Sequence, residues 1–123
     1  MVQARREALG LSQVQLARWL PWKHTRLSEI ESDRRSWPEW AEGRLCELET
    51  LFDEMVAGIV EQCLDQEVEG AEARVIETFK DDGTLWEAHP GLRGLPAVLH
   101  RIAAVEAWKT LLEDGIMARI VAA

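Results

Sequence analysis

Tyrosine is absent from the 123 residues, and phenylalanine and cysteine occur only twice each. The lack of Tyr or Phe to lay out on a sheet argues against the stacking platforms that hold single-stranded RNA bases. Cys46 and Cys63 fall on one long helical stretch, about 25 Å apart at 1.5 Å per residue, which excludes a disulfide between them while that helix is intact. Both are expected as small buried apolar residues, and without a second ligand pair no metal is expected there. The apolar runs are far shorter than the roughly 20 residues a membrane-spanning helix needs, and nothing resembles a signal peptide. A cytoplasmic chain with no membrane partner is the resulting expectation. Also missing are a phosphate-binding glycine loop and any His, Cys or carboxylate pairing with catalytic spacing. The sequence is therefore read as a non-enzyme with no catalytic residue and no cofactor. There is no internal repeat.

What the chain does have is charge of both signs, unevenly placed. The net charge is −8. Residues 1–35 carry seven Lys or Arg against four Asp or Glu, net +3, and the remainder carries seven against eighteen, net −11. A polyanionic partner would be drawn to the first part and repelled by the second, which also reads as long helices with solvated acidic faces.

The basic segment contains two short amphipathic patterns. Leu16, Ala17 and Leu20 share one helical stripe, and Leu27 and Ile30 share another, so two helices can close on a common core. Ala17 is the small residue required where such helices cross most tightly. The second helix then leaves His24, Thr25, Ser28 and Glu29 outward, with Arg26, Arg34 and Arg35 in reach of phosphates.

From Leu11 to Arg35 the chain resembles the Cro/C1-type (XRE) helix-turn-helix regulators without a gap: Leu11-Ser12-Gln13, Leu16-Ala17, Leu20, Trp22 in an apolar slot, and Glu31-Ser32-Asp33-Arg34. It departs at Pro21 and Asp33, where glycine is usual. Asp visits the left-handed region at modest cost, whereas the proline ring fixes φ near about −65°. The first turn is therefore expected to take another path, altering the angle of the recognition helix. The resemblance implies a phosphate contact for Gln13 and a buried ion pair between Arg6 and Glu31. The layout further along is similar to YdiL-like and anti-CRISPR-associated regulators, in which a C-terminal part dimerises.

Beyond the motif, Ser36-Trp37-Pro38-Glu39 carries helix-start signals. Leu45, Leu48, Phe52, Met55 and Ile59 recur at spacings of three and four, predicting a helix over about 37–67. Glu69-Gly70-Ala71-Glu72 reads as a loop, Val75–Phe79 as a strand, Asp81-Asp82-Gly83 as a turn and Thr84–His89 as a short helix. Pro96 opens a last helix ending before Asp114-Gly115, and residues 116–121 are a second candidate strand. The expected fold is mainly α: an N-terminal helix-turn-helix bundle (1–36), a long connecting helix (37–67) and a small α+β dimerisation part (68–123), forming one compact unit.

The individual side chains keep alternative readings. His24 either donates to a guanine acceptor or is an exposed helix-start residue, and Thr25 either faces DNA or caps the helix in place of Lys23. Arg26 meets a phosphate or a guanine edge in either case. Arg5, Arg34 and Arg35 also read as a solvated rim, and Glu29 as a surface salt bridge, since a carboxylate facing DNA is usually a cost. Trp22, Trp37 and Trp40 are expected to bury the motif's edge, Trp86 and Trp108 to serve a second core, and Trp19 to pack on the acidic part or on a second subunit. The functional expectation is a homodimeric, sequence-specific repressor binding a palindromic operator in double-stranded DNA. The alternative is an antitoxin or adaptor whose acidic C-terminal half holds a protein partner.

Overall fold

A computed structural model describes residues 1–69 and 73–123. The loop expected at Glu69-Gly70-Ala71-Glu72 lies, apart from Glu69, outside the described residues. Contacts cluster into two units, Met1–Leu51 and Phe52–Ala123. The fold is mainly helical, with an N-terminal helix-turn-helix, a long helix and a small two-stranded sheet near the C-terminus.

The first unit holds α1 (Val2–Ala8), α2 (Gln13–Trp19), α3 (His24–Glu31) and the first half of α4 (Glu39–Leu64). Its core is the apolar stripe legible in the sequence: Leu16, Ala17, Leu20, Leu27 and Ile30 are buried, joined by Leu9, Leu11, Ala41, Leu45 and Leu48. Ser12 starts α2 with a reciprocal cap, its hydroxyl accepting from the Gln15 N–H while the Gln15 side chain accepts from the Ser12 N–H. That exchange satisfies two orphan donors at the helix start. Helix α4 begins at Glu39, and the Glu42 N–H donates to the Pro38 carbonyl at 3.1 Å. Pro38 thus occupies the cap, two residues later than Ser36, because its missing N–H is not required there.

The turn after α2 corrects the expectation drawn from Pro21. The N–H of Leu11 bonds the Arg6 carbonyl, that of Trp22 the Ala17 carbonyl and that of Arg34 the Glu29 carbonyl, at 3.2, 2.7 and 2.8 Å. Each closes a helix end by the same six-residue loop, with a left-handed residue before the donor. Those residues are Gly10 at φ 74°, Pro21 at φ 25° and Asp33 at φ 62°. The first turn therefore keeps the usual path, since the buried Leu20 and Leu27 on either side fix where the chain must reverse. The proline is held far from its preferred φ. Releasing about 1–3 kcal/mol of backbone strain outweighs the roughly 0.4–1 kcal/mol lost by loosening the unfolded chain. Pro21→Gly should thus stabilise the first unit by up to about 2 kcal/mol. Denaturant titration would show a raised midpoint at unchanged slope, and a lowered midpoint would refute the strain.

Trp19 packs within its own first unit, on α4. Its indole N–H donates to the Arg44 carbonyl at 2.8 Å, Arg44 Nη2 donates to the Trp19 carbonyl at 2.7 Å, and the guanidinium lies 4.0 Å from the ring centroid. Of the two expected seats, the acidic part after residue 35 supplies it, through Arg44 on the first half of α4. Cys46 is exposed rather than buried, while Cys63 is buried as expected.

The second unit continues α4 through buried Met55, Ile59 and Cys63. It adds β1 (Arg74–Thr78), α5 (Asp82–Ala88), a 3-10 turn (Pro90–Leu92), α6 (Ala97–Glu113) and β2 (Ala118–Ala122). The strands pair in parallel, Arg74 opposite Ala118 through Thr78 opposite Ala122, and α6 contacts both. Helix α5 starts earlier than the sequence indicates. Asp81 caps it by accepting the Thr84 N–H at 2.8 Å, so the expected turn Asp81-Asp82-Gly83 is the helix start itself. Phe79, Leu85 and Ala97 form a core with Trp86 and Leu92 against it. Trp86 donates to the Leu95 carbonyl and Trp108 to the Ala118 carbonyl, giving each indole N–H a partner while its rings stay half-buried.

Candidate nucleic-acid interface

Helix α3 turns Leu27 and Ile30 inward and leaves His24, Thr25, Arg26 and Ser28 exposed. Lys23 occupies the N-cap, without a side-chain cap bond, and Thr25 lies inside the first turn. The reading of Thr25 as the cap is thereby corrected. The hydrophobic pair fixes the helix so tightly that the cap falls where Trp22 ends the preceding turn, whatever residue stands there. The outward row at 24, 25 and 28 is one helical face, with Lys23 at its head.

Arg26 stands 5.3 Å from the Trp22 ring centroid, within range of a cation–π contact. Trp22 is itself braced by Trp37 at 6.2 Å and, edge-on, by Trp40 at 5.3 Å. This anchoring limits the directions the Arg26 side chain can take. The sequence marks Trp22 only as a residue burying the motif's edge. No local spacing rule pairs the two, since Trp22 lies in the turn before α3 and only Arg26 is on the helix. At the other end of α3, Arg35 Nε donates to Glu29 Oε2 at 2.8 Å, with both side chains largely exposed. Glu29 therefore spends its charge on a surface bridge, and Arg34 remains exposed beside it.

Beneath this face lies a buried ion pair. Arg6 donates from Nε and Nη2 to the two carboxylate oxygens of Glu31 at 2.8 and 2.9 Å, and from Nη1 to the Leu11 carbonyl at 2.8 Å. The side chains are 11% and 4% exposed. Burial pushes the Glu31 carboxyl up, but hydrogen bonds from Arg6 and Gln13 and the charge of Arg6 outweigh it and hold the group below its ordinary value. Hydrogen bonding to Glu31 raises Arg6, against the opposing effect of burial. Gln13 Nε2 donates to Glu31 Oε1 at 3.1 Å, so one of its two amide hydrogens is engaged and the other is left to donate elsewhere.

Arg5 is no solvated rim residue. It bonds Glu49 at 2.5 Å and Glu42 at 2.6 Å, clamping α1 to the first half of α4. Bonds from Glu49 and then Glu42 raise the guanidinium, and Arg5, followed by Trp37 and Cys46, holds the Glu42 carboxyl down at about 2. The seven-residue separation of Glu42 and Glu49, two turns on one helix face, is the sequence signal for such a clamp. The bonded Glu42 also pushes the Cys46 thiol up, which disfavours thiolate.

Residues 2–52 match the sequence profile of a helix-turn-helix domain family. No curated protein sequence matches the chain. The matched span covers all the residues of the interface just described. Among the described residues no helix is long and apolar enough to cross a membrane, and no group of three or more His, Cys, Asp or Glu is placed to hold a metal ion.

Proposed function

We propose that the chain is a sequence-specific, XRE-like DNA-binding transcriptional regulator working in the cytoplasm, with α3 entering the major groove of a palindromic operator. The observation that carries this is the sidedness of α3: Leu27 and Ile30 inward, and His24, Thr25, Arg26 and Ser28 outward in a segment of net positive charge. Lys23, Arg34, Arg35 and the free hydrogen of Gln13 supply phosphate contacts, while Arg26, with His24, Thr25 and Ser28, reads base edges. Glu29 acts by orienting Arg35.

The role assigned to the second unit is homodimerisation, which sets two readers on half-sites one helical turn apart, about 34 Å, and the output assigned to the bound dimer is repression. Exposed Val105 and Leu112, two turns apart on α6, together with exposed Met117 and Ile120, support that assignment. In these terms residues 1–36 read DNA, 37–67 connect and 68–123 dimerise, as in the YdiL-like layout. The net −11 after residue 35 favours a second reading, in which the acidic part holds a basic protein partner and the chain serves as an antitoxin or adaptor.

Selection of bound duplexes from a random library by the full chain tests the first reading. An enriched inverted repeat and a dimeric mass in solution are expected, and recovery of unenriched sequence would overturn it. Arg26→Ala should then weaken binding to the selected site by about 1–3 kcal/mol and relax preference at one position. A loss uniform across sequences, with the salt slope reduced by about one, would instead place Arg26 on a phosphate. Binding equal to that of the parent chain would remove α3 from the groove.

A further inference from the structure

Strand β1 presents its main chain in two directions. The Arg74 N–H donates to the Met117 carbonyl at 3.0 Å, and the Ala123 N–H to the Thr78 carbonyl at 2.8 Å, so the even residues of β1 face β2. Val75 and Glu77 consequently turn their N–H and C=O to the opposite edge. At Val75 that edge is closed by a side chain. Gln66 Nε2 donates to the Val75 carbonyl at 2.7 Å, and the Val75 N–H donates to Gln66 Oε1 at 2.9 Å. One primary amide thus satisfies both main-chain groups of one edge residue. At Glu77, the next station, no partner is bonded among the described residues.

Glu77 opens onto a cavity of about 500 Å³ lying wholly within the second unit and lined also by Gln62, Cys63, Gln66, His89 and His100. This is the size of ordinary small-molecule sites, roughly 300–1,000 Å³. His100 is only 5% exposed, and its Nδ1 has no hydrogen-bond partner among the described residues. The His100 ring stacks on His89, with centroids 5.8 Å apart and an interplanar angle of 27°. Such a pair offers a planar, polarisable wall.

The geometry points to a binding site for a small planar molecule without negative charge, bearing a primary carboxamide or lactam edge, which takes the Glu77 N–H and C=O as Gln66 takes those of Val75, with its ring against His89 and His100. Three features select this class. Among the described residues no Lys or Arg lines the cavity and Glu77 carries its one carboxylate, so an anion finds no counter-charge. Burial keeps His100 neutral, down to about 4, so it supplies none either. An extended peptide would need the Val75 station as well, and Gln66 already holds it. The site is independent of the DNA-binding reading, and neither stands or falls with the other.

The test is titration of the full, ¹⁵N-labelled chain with benzamide and 2-pyridone, set against benzoate and N,N-dimethylbenzamide, followed by NMR. Benzamide and 2-pyridone should move the Glu77 amide and the His89 and His100 ring resonances. Benzoate and N,N-dimethylbenzamide, which lack the paired donor and acceptor, should bind at least ~10-fold more weakly. Gln62→Trp, at an exposed position on the cavity wall, should abolish the shifts while the rest of the spectrum stays native. Ile59→Phe fills the same space from within if that variant misfolds. Equal affinity for all four probes, shifts centred elsewhere, unchanged binding by a folded cavity-filling variant, or no binding of either amide at millimolar concentration would overturn the proposal.

Discussion

Arg6→Met should destabilise the first unit by about 3–5 kcal/mol, because it leaves the Glu31 carboxylate buried with Gln13 as its remaining donor. The same substitution removes the donor to the Leu11 carbonyl, at the turn into α2. Denaturant unfolding would register the loss as a lower midpoint at similar slope. Arg6→Met with Glu31→Leu should recover much of it, since two apolar side chains of similar bulk carry no stranded charge. The pair also sets an acid limit. Glu31 has a lowered pKa in the folded state, so its contribution is present above the ordinary carboxylate range and is lost as pH falls through the folded value. A single variant that melts with the parent chain would show that the geometry at Arg6 carries no stability.

The second large effect belongs to His100. Burial, reinforced by His89, lowers its pKa from 6.5 to about 4. The unfolded chain therefore binds the extra proton first as pH drops. Stability from keeping this ring neutral is complete above about 6.5 and declines as pH falls toward 4. Over that window the second unit should lose up to about 3 kcal/mol, because unequal protonation of the two states costs about 1.36 kcal/mol for each pH step of one. His100→Phe keeps a ring beside Phe79 and His89 but cannot titrate. Unfolding free energies measured between pH 7 and pH 4 should flatten in this variant, and an identical slope in both proteins would assign the acid sensitivity elsewhere.

The elements legible in the sequence are those whose physics is local. Leu16, Ala17, Leu20, Leu27 and Ile30 repeat with the helical period, so α2 and α3 and their shared core can be read directly. The long helix and the last helix follow from the same periodicity, and the β-branched run Val75-Ile76 marks β1. Where tertiary packing decides, local rules fail. Pro21 by its own φ preference argues against the usual turn, whereas flanking buried leucines hold it there. Thr25 is a plausible cap by side-chain chemistry, yet the registration of Leu27 and Ile30 places Lys23 in that position. Arg5 looks like a surface residue because its partners, Glu42 and Glu49, lie 37 or more residues away along the chain. The pairing of β1 with β2 cannot be foreseen either, since parallel strands are joined by a long crossover and leave no hairpin signal.

The absence of tyrosine, together with the tryptophan cluster, gives the chain an optical signature. Its near-ultraviolet fluorescence is dominated by indoles, four of them in the first unit and two, Trp86 and Trp108, in the second. Trp22 and Trp40 meet edge-on at 5.3 Å, close enough for their excited states to couple and for circular dichroism to report their mutual angle. Arg26 sits on one member of that pair. A guanidinium that leaves Trp22 for a phosphate or a base edge would change the field at an emitting ring. The chain thus carries its own unlabelled reporter beside the face assigned to DNA, sensitive to the motion of a single side chain.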